Sequence, residues 1–333
     1  MKRFTLRQLV LCCGLSVAVT VGLGVFVRAM QWQLVMDRVL AQLHPRLPAL
    51  IGEQQPDARP LFEDWFIDQN EYLLEKDAYY RNLPPQDLQE MRLAEQAKVL
   101  EAYEEDPAGF LHEYNGIWRT WLFDAVVDGK NLVRVGRSGD GGKWVSDPQN
   151  LRPGAVIYSV GVGTDISFDV EMAGLFGCEV HAFDPAPSVE RSFSDYHPGQ
   201  PVGKGKFWYH PVGLGPISTD PASADELIIE DHKCPVKRLS ELAAELGHDR
   251  VDILKIDIEG GEMAALMEML SSRTLEKLSV EQLLVEFHFW DDEHWSSFVQ
   301  ILGLLREQGY LLFRKEFNLS HTSCAEFAFL RAE

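Results

Sequence analysis

Residues 150–331 show short apolar runs that alternate with stretches of helical periodicity. The alternation predicts a mainly parallel sheet with helices on both faces, because parallel strands need a crossover between them. The last two apolar runs are joined by a loop without a helix, which predicts an antiparallel hairpin at the end of a doubly wound α/β sheet. The predicted strands are 155–160, 179–183, 207–210, 251–256, 283–287, 310–313 and 327–330. The predicted helices are 168–176, 236–246, 262–270 and 298–308.

The N-terminal segment carries a separate apolar signal. Residues 8–27 contain no charged side chain, and a helix of that length spans about 30 Å, the thickness of a membrane's hydrocarbon core. We predict a cytoplasmic tail and an uncleaved signal-anchor helix over residues 1–29, with cleavage near Ala29 and secretion as the alternative. Flanking positive charges predict a single-pass protein whose body lies in the lumen of the secretory pathway.

Residues 30–110 are predicted to form a stem and a helical region. Repeated prolines interrupt any period up to Pro85, and an apolar pattern from Asp87 predicts a helix that stops at Asp106-Pro107. Residues 111–333 are then the predicted functional domain.

Composition and charge narrow the function further. The chain has 333 residues, of which 46% are hydrophobic and 25% charged, as in ordinary globular proteins. A formal charge of -20 argues against a nucleic-acid partner, because phosphate backbones attract basic surfaces. Five cysteines without a CxxC pair exclude a zinc finger and a disulfide scaffold.

Two glycines follow the first predicted strand of the sheet. Gly161 and Gly163 would let the backbone approach a ligand, and Asp165 leads into a helix whose N-terminus faces that ligand. Ile166 stands where a dinucleotide motif needs its third glycine, so the pattern does not favour NAD. Asp184 ends the second strand about 20 residues later and can accept both hydroxyls of a ribose. A plain tight turn and a helix N-cap are the alternatives for these positions.

Ionisable side chains follow two later strands. Lys255, Asp257 and Glu262 crowd the end of the strand 251–256, where doubly wound sheets bind their ligands. An ion pair between Lys255 and Asp257, with Glu262 as a helix cap, is the alternative. Glu286 and His288 alternate with phenylalanines and so face one side of their strand. His288, with an expected pKa near neutrality, and Asp257 are candidate general bases, with Glu286 beside them. A divalent-metal site at Asp257, Glu286 and His288 is a less favoured alternative.

The glycine-rich segment 136–144 precedes the first predicted strand of the sheet. Its spacing does not fit a phosphate loop. We expect Gly142 and Lys143 to fold over the sheet edge and, like Gly161, Gly163, Asp165 and Asp184, to bind a cofactor, with Lys143 facing a carboxylate. A flexible linker is the alternative.

The order of these motifs resembles the FkbM-type S-adenosylmethionine-dependent methyltransferases, and within them the animal methyltransferase-like proteins with a GDGGKW segment. The resemblance covers about residues 115–331. It is carried by GVG at 161–163, AFDP at 182–185, VDILKIDIEGGE at 251–262, LLVEFH at 283–288 and GDGGKW at 139–144.

The resemblance implies the Rossmann-like class I methyltransferase fold, a seven-stranded sheet with a terminal antiparallel hairpin. It also implies that Gly161 and Gly163 pass beside S-adenosylmethionine, that Asp184 binds its ribose, and that Asp257 lies at the floor of the methyl-transfer site. Many relatives carry an acid two positions before the first glycine. Ser159 stands there instead, which weakens the expected contact with the methionine part of the cofactor.

The predicted function is O-methylation of a sugar, glycan or other small hydroxyl acceptor. A type II lumenal glycosyltransferase shares the anchor and stem and is one alternative. A binding protein that keeps the fold without catalysis is the other, because fold does not establish activity.

Overall fold

The computed structural model describes residues 85–113, 123, 125–137, 141–215, 227–317 and 323–332. They belong to the compact unit Pro84–Glu333. The predicted membrane helix at 1–29 and the predicted stem up to residue 84 lie outside the described residues. Within the described ranges no helix is long and apolar enough to cross a membrane.

Helices and strands alternate along the described chain as the sequence predicts. The helices are α1 (Pro85–Glu105), α2 (Pro107–Glu113), α3 (Ser167–Phe176), α4 (Pro187–Ser192), α5 (Leu239–Leu246), α6 (Glu262–Ser271), α7 (Thr274–Lys277) and α8 (Asp292–Glu307), with a 3-10 turn at Pro148–Asn150. The strands are β1 (Val133–Val135), β2 (Lys143–Val145), β3 (Val156–Val160), β4 (Glu179–Phe183), β5 (Gln200–Val202), β6 (Gly205–His210), β7 (Gly213–Leu214), β8 (Leu227–Ile229), β9 (His232–Cys234), β10 (Val236–Lys237), β11 (Ile253–Ile256), β12 (Gln282–His288), β13 (Tyr310–Phe317) and β14 (Cys324–Arg331).

Eight strands form the central sheet, in the order β13-β14-β12-β11-β3-β4-β6-β5. The pairs from β12 through β6 are parallel, and β14 lies antiparallel between β12 and β13. The doubly wound sheet with a terminal hairpin is therefore confirmed, and it contains all seven predicted strands. The eighth strand, β5, pairs antiparallel with β6 at the far edge. It was not predicted, because Gln200-Pro201-Val202 is too short to show a period.

The central strands are buried because hydrophobic clusters cover both faces of the sheet. Every residue of β3, β11 and β12 is buried. Successive β3 side chains point to opposite faces, so Tyr158 and Val160 pack into one cluster and Ile157 packs into the other. This burial fixes the carboxyl ends of the strands as a rigid edge.

Two helix boundaries differ from the prediction. The helix predicted from residue 236 begins at Leu239, because Val236 and Lys237 pair with Gly213 and Leu214 as a short parallel ladder. The helix predicted from residue 298 begins at Asp292. Asp291 caps it by accepting the backbone N–H groups of Glu293 and His294.

Candidate functional site

A crevice of about 1210 Å³ lies at the carboxyl ends of β3, β4, β11 and β12. This is the edge of a doubly wound sheet at which ligands bind. Gly161, Gly163 and Asp184 line one part of it, which we call the glycine end. The other part, which we call the charged end, is formed by Asp257, Glu286 and His288 and by the side chains packed behind them, Lys143 and Glu326.

The two predicted glycines have different roles at the glycine end. Both have positive φ, +71° at Gly161 and +54° at Gly163. A Cβ at Gly161 would lie 1.6 Å from the backbone oxygen of Asp257, so this glycine allows β3 and β11 to approach each other. A Cβ at Gly163 would meet nothing within 4 Å. Only Gly163 therefore leaves space above its backbone for a ligand.

Asp184 is buried and turned towards the glycine turn. Its Oδ2 accepts the backbone N–H of Gly163 at 2.9 Å, and its Oδ1 accepts that of Ala186 at 2.9 Å. A carboxylate offers about four acceptor positions, so these two bonds leave about two for a ligand. The side chain lines the crevice, and its orientation is set by the two amides.

Asp165, the third predicted residue near the glycines, also lines the crevice. Its Oδ1 accepts the backbone N–H of Ser167 at 3.0 Å in the first turn of α3. Arg137 lies 3.8 Å from its Oδ2. Its carboxylate therefore fixes the start of α3.

Gly142 and Lys143 do not line the crevice, unlike the other predicted cofactor-binding residues. The backbone oxygen of Gly142 accepts a bond from Arg134 at 3.1 Å, and a Cβ at Gly142 would clash with that arginine. Lys143 is 2% exposed and points into the protein. Neither residue is placed to touch a ligand, because the hairpin β1–β2 carries them behind the sheet edge.

Three carboxylates surround Lys143 at the charged end. Its Nζ lies 3.3 Å from Asp257 Oδ2 and 3.4 Å from Glu286 Oε2, and it also bonds Glu326. The expectation that Lys143 faces a carboxylate is confirmed. Burial alone would lower the pKa of Lys143, but the charges of Glu326, Asp257 and Glu286 raise it above its ordinary value. The ammonium group is therefore a permanent cation of this cluster.

Two carboxyl groups of the cluster, those of Asp257 and Glu326, have a raised pKa. Burial raises the pKa of Glu326 to about 8, although Lys143 opposes the shift. Burial also raises the pKa of Asp257, against the charges of Lys143 and Lys255, and a hydrogen bond with Glu286 adds to the increase. Of these carboxyl groups Asp257 and Glu286 line the crevice, so they can reach a ligand.

His288 pairs with an acid from the start of α6. Oε1 of Glu262 accepts the backbone N–H of His288 at 2.6 Å and lies 3.1 Å from its Nδ1, while Glu259 lies 3.4 Å from Nε2. Burial would lower the pKa of His288, but its bond to Glu262 and the neighbouring acids raise the pKa to about 9. The near-neutral pKa expected from the sequence is therefore wrong. At pH 7 the ring is a cation, which donates hydrogen bonds rather than accepting a proton.

Ser159, the departure noted in the sequence, lies behind the glycine turn and does not line the crevice. It is fully buried, as is Asp169 of α3, whose pKa burial raises against the opposing charge of Lys255. Lys255 donates to the backbone oxygen of Gly161 at 3.4 Å. Lys255 of β11 thus stabilises the glycine turn through this hydrogen bond.

Residues that can hold a metal also meet at the charged end. Glu286, His288 and Cys324 form one such group, and Asp257, Glu286 and Glu326 form another. The second group encloses the Lys143 ammonium, which supplies the positive charge that a metal would supply. This arrangement does not require a metal.

Trp290 stands at the mouth of the crevice with its side chain 56% exposed. Its ring packs over Gly260, where a Cβ would meet the indole at 2.6 Å. His288 and His294 lie against it, with ring centroids 5.9 Å and 5.5 Å away. The indole is therefore held in place while it exposes apolar surface beside the acids.

A family model described as "Methyltransferase domain" matches residues 75–331, more than half of the chain. The chain belongs to the methyltransferase-domain family. This methyltransferase domain is 30% identical over 178 residues to the probable methyltransferase-like protein 24 of Homo sapiens and 32% identical to that of Rattus norvegicus. Each alignment covers 50% of this chain and 42% of the relative, so the chain matches less than half the length of these curated relatives. The finer FkbM-type resemblance stays a prediction.

Solved structures resemble the domain more distantly. A fibrillarin of Aeropyrum pernix with natively bound S-adenosyl-L-methionine has 13% identity and a TM-score of 0.35, over 61% of this chain and 83% of that one. A putative methyltransferase of Streptococcus mutans in complex with SAH has 9% identity and a TM-score of 0.33, over 56% of this chain and 93% of that one. The fold of the methyltransferase domain rests on its own strand order.

Two residues of the site were missed by sequence reasoning. Glu326 lies on β14, about 180 residues from Lys143 along the chain, and nothing in its local pattern marks it. Trp290 lies two positions after His288 and could have been singled out as an aromatic near predicted site residues. The structure brings together the predicted Asp257, Glu286 and His288, and it separates Gly142 and Lys143 from the crevice wall.

Proposed function

We propose that this domain is an S-adenosylmethionine-dependent methyltransferase that methylates a hydroxyl group of a sugar or another small acceptor. The observation that carries the proposal is the pairing of Gly163 and Asp184 at the end of β3 and β4. The open space above the backbone of Gly163 lies beside the carboxylate of Asp184, which has about two acceptor positions left for a ligand. A nucleoside needs such a backbone approach and such a carboxylate for its ribose hydroxyls.

The crevice is suited to a positively charged cofactor. Asp165, Asp184, Asp257, Glu259 and Glu286 all line it, whereas its basic lining consists of Arg137, Lys255 and the protonated His288. When bound, the sulfonium centre supplies an activated methyl group that transfers as the carbon–sulfur bond breaks. An acidic lining favours the charged donor over its neutral product.

The charged end supplies what a hydroxyl acceptor needs. Asp257 lines the crevice and is held by Lys143, so it is our candidate to receive the acceptor's proton. Its raised pKa makes it a better base than an exposed carboxylate. His288, being protonated, is proposed to orient the acceptor by donating a hydrogen bond. Glu286 holds the second side of Lys143 and fixes the position of the ammonium.

Trp290 supports a sugar as the acceptor. An exposed indole next to carboxylates offers an apolar face for the C–H groups of a sugar ring and acceptors for its hydroxyls. Glu259, which is exposed in the same wall, adds one more acceptor. We therefore expect Trp290→Ala to raise the KM for the acceptor and to leave cofactor binding unchanged.

Calorimetry with the full-length chain tests the proposal. We expect heat on titration with S-adenosylmethionine and none with sugar nucleotides. Binding of sugar nucleotides alone would favour the glycosyltransferase alternative, and binding of neither would favour a silent binding protein. Incubation with labelled donor and a panel of sugars and other alcohols then identifies the acceptor by transfer of label.

We also propose that residues 1–29 anchor the protein in a membrane of the secretory pathway with the domain in the lumen. The support is the uncharged stretch 8–27 with its flanking positive charges. Protease treatment of intact microsomes tests the topology. Protection of the domain supports the proposal, and digestion overturns it.

A further inference from the structure

A second cluster of ionisable side chains lies away from the crevice. Glu179 and His181 occupy alternate positions at the start of β4, so they face the same side of the sheet. His248 follows Gly247, the left-handed residue that ends α5. One ligand atom from each of the three residues lies within 4.8 Å of the other two. His181, the member nearest to Asp184 in the chain, lies about 10 Å from it along the strand. None of the three residues lines the crevice, so this cluster is separate from the site described above.

One ring nitrogen of the cluster has no partner. His181 is 4% exposed, and its Nε2 is buried without a hydrogen bond among the described residues. Its other nitrogen, Nδ1, lies 2.9 Å from Nε2 of His210. A buried polar atom without a partner is unfavourable unless a ligand satisfies it.

The surrounding residues hold both histidine rings in place. Trp208 stacks on His181 with ring centroids 4.5 Å apart and planes 6° apart. The hydroxyl of Tyr158 lies 2.8 Å from Nδ1 of His248. Histidines that bind metal typically use their second nitrogen for such a bond, which fixes the orientation of the ring. His181 and His248 both have this arrangement.

The rings are also in the form that binds metal. Burial lowers the pKa of His181 to about 3 and also lowers the pKa of His248 below its ordinary value. Both are therefore neutral at pH 7 and keep a lone pair. Glu179 supplies the negative charge and is half-buried, as is His248, so an ion can enter from solvent.

We infer that Glu179, His181 and His248 form a zinc site on the face of the sheet, with a water molecule as the fourth ligand. Two imidazoles and one carboxylate are a ligand set that tetrahedral zinc accepts. Ligand atoms around a tetrahedral zinc ion lie about 3.3 Å apart. Small side-chain rotations can bring the three ligand atoms, which lie within 4.8 Å of one another, to that distance. The site ties β4 to the end of α5, and zinc therefore stabilises the domain without entering the crevice.

Zinc titration of the full-length, tag-free chain after treatment with a chelator tests the inference. We expect one zinc per chain by metal analysis and calorimetry, together with a rise in melting temperature when zinc is added. Glu179→Gln and His248→Ala should lose stoichiometric zinc, whereas Tyr158→Phe should weaken binding about 10- to 100-fold, as loss of an outer partner does. Cobalt in place of zinc should quench the fluorescence of Trp208, and Trp208→Phe identifies that signal.

Glu286→Gln is the matched control, because Glu286 belongs to two of the other three groups of possible metal ligands among the described residues. Retention of zinc in this variant and loss in Glu179→Gln support the inference. A wild-type chain that binds no zinc overturns it. Zinc lost in Glu286→Gln and kept in Glu179→Gln would place the metal in the crevice and overturn it as well.

Discussion

The glycine end and the charged end of the crevice are built in different ways. The glycine end is formed mainly by backbone atoms. The amides of Gly163 and Ala186 orient Asp184, and the absence of a side chain at Gly163 leaves space for a ligand. At the charged end, a buried lysine from one hairpin meets carboxylates from β12, β14 and the end of β11.

The difference has physical consequences for each end. The glycine end consists of backbone and one carboxylate. Removal of that carboxylate should therefore leave the fold intact and weaken ligand binding. A buried charge cluster is balanced internally, so removal of one member leaves the others uncompensated and destabilises the fold. The following changes should therefore separate binding at one end from stability at the other.

The largest effect is expected from Lys143→Met at the charged end. The change leaves three acids without their cation, and it should lower the free energy of unfolding by about 3–5 kcal/mol. Chemical denaturation of the wild-type and variant chains measures it. Adding Glu286→Gln to the variant should restore part of the loss, because it removes one of the buried acids left without a cation. An unchanged stability in Lys143→Met would contradict the account of a coupled cluster.

Asp184→Ala should have the next largest effect, on binding. The variant cannot make the two expected hydrogen bonds between the Asp184 carboxylate and the ribose hydroxyls. Affinity for S-adenosylmethionine, measured by calorimetry, should therefore fall by about 100-fold or more. Asp165→Ala removes the same charge from the same crevice and serves as the control, with less than about a 10-fold loss expected. Equal affinity in wild type and Asp184→Ala would refute the ribose contact.

Gly163→Ala tests whether the space above the glycine turn is occupied by the cofactor. The new Cβ meets no protein atom, so strain from positive φ should cost about 1–2 kcal/mol of stability. We expect it to weaken cofactor binding by about 10-fold because it fills ligand space. Gly161→Ala is the comparison: its Cβ collides with the backbone of Asp257, so a thermal melt should show much greater destabilisation. The assignment fails if the two variants bind and melt alike.

The last prediction concerns the pH dependence of stability that His288 contributes. Its pKa rises from an ordinary 6.5 to about 9 on folding, so the protonated ring stabilises the fold fully below pH 6.5. That contribution is lost as the pH rises through 9. Unfolding measured from pH 6 to pH 10 should show the decline in wild type, with a smaller decline in His288→Asn. Identical profiles would show that Glu262 and His288 are not coupled.

The glycine end could be predicted from the sequence, and much of the charged end could not. The GVG turn, Asp184 and the strands that position them lie within 30 residues, so short-range patterns identify them. At the charged end, Asp257, Glu286 and His288 were predicted as site residues from the sequence. Glu326 was not, because its local sequence carries no signal. The pKa of His288 was predicted wrongly because Glu262 and Glu259 reach it only through the fold.

Periodicity along the chain was enough to predict the seven principal strands, four of the helices between them and the edge of the sheet at which the ionisable residues gather. Those properties follow from periodicity and from the chemistry of strand ends, which are local. The short helices Pro187–Ser192 and Thr274–Lys277 were missed. The folded chain was needed to show that Lys143 is an internal counter-ion rather than a ligand contact, and that Glu179, His181 and His248 lie close together. Charge balance and burial depend on residues far apart in the chain, which packing alone brings into contact.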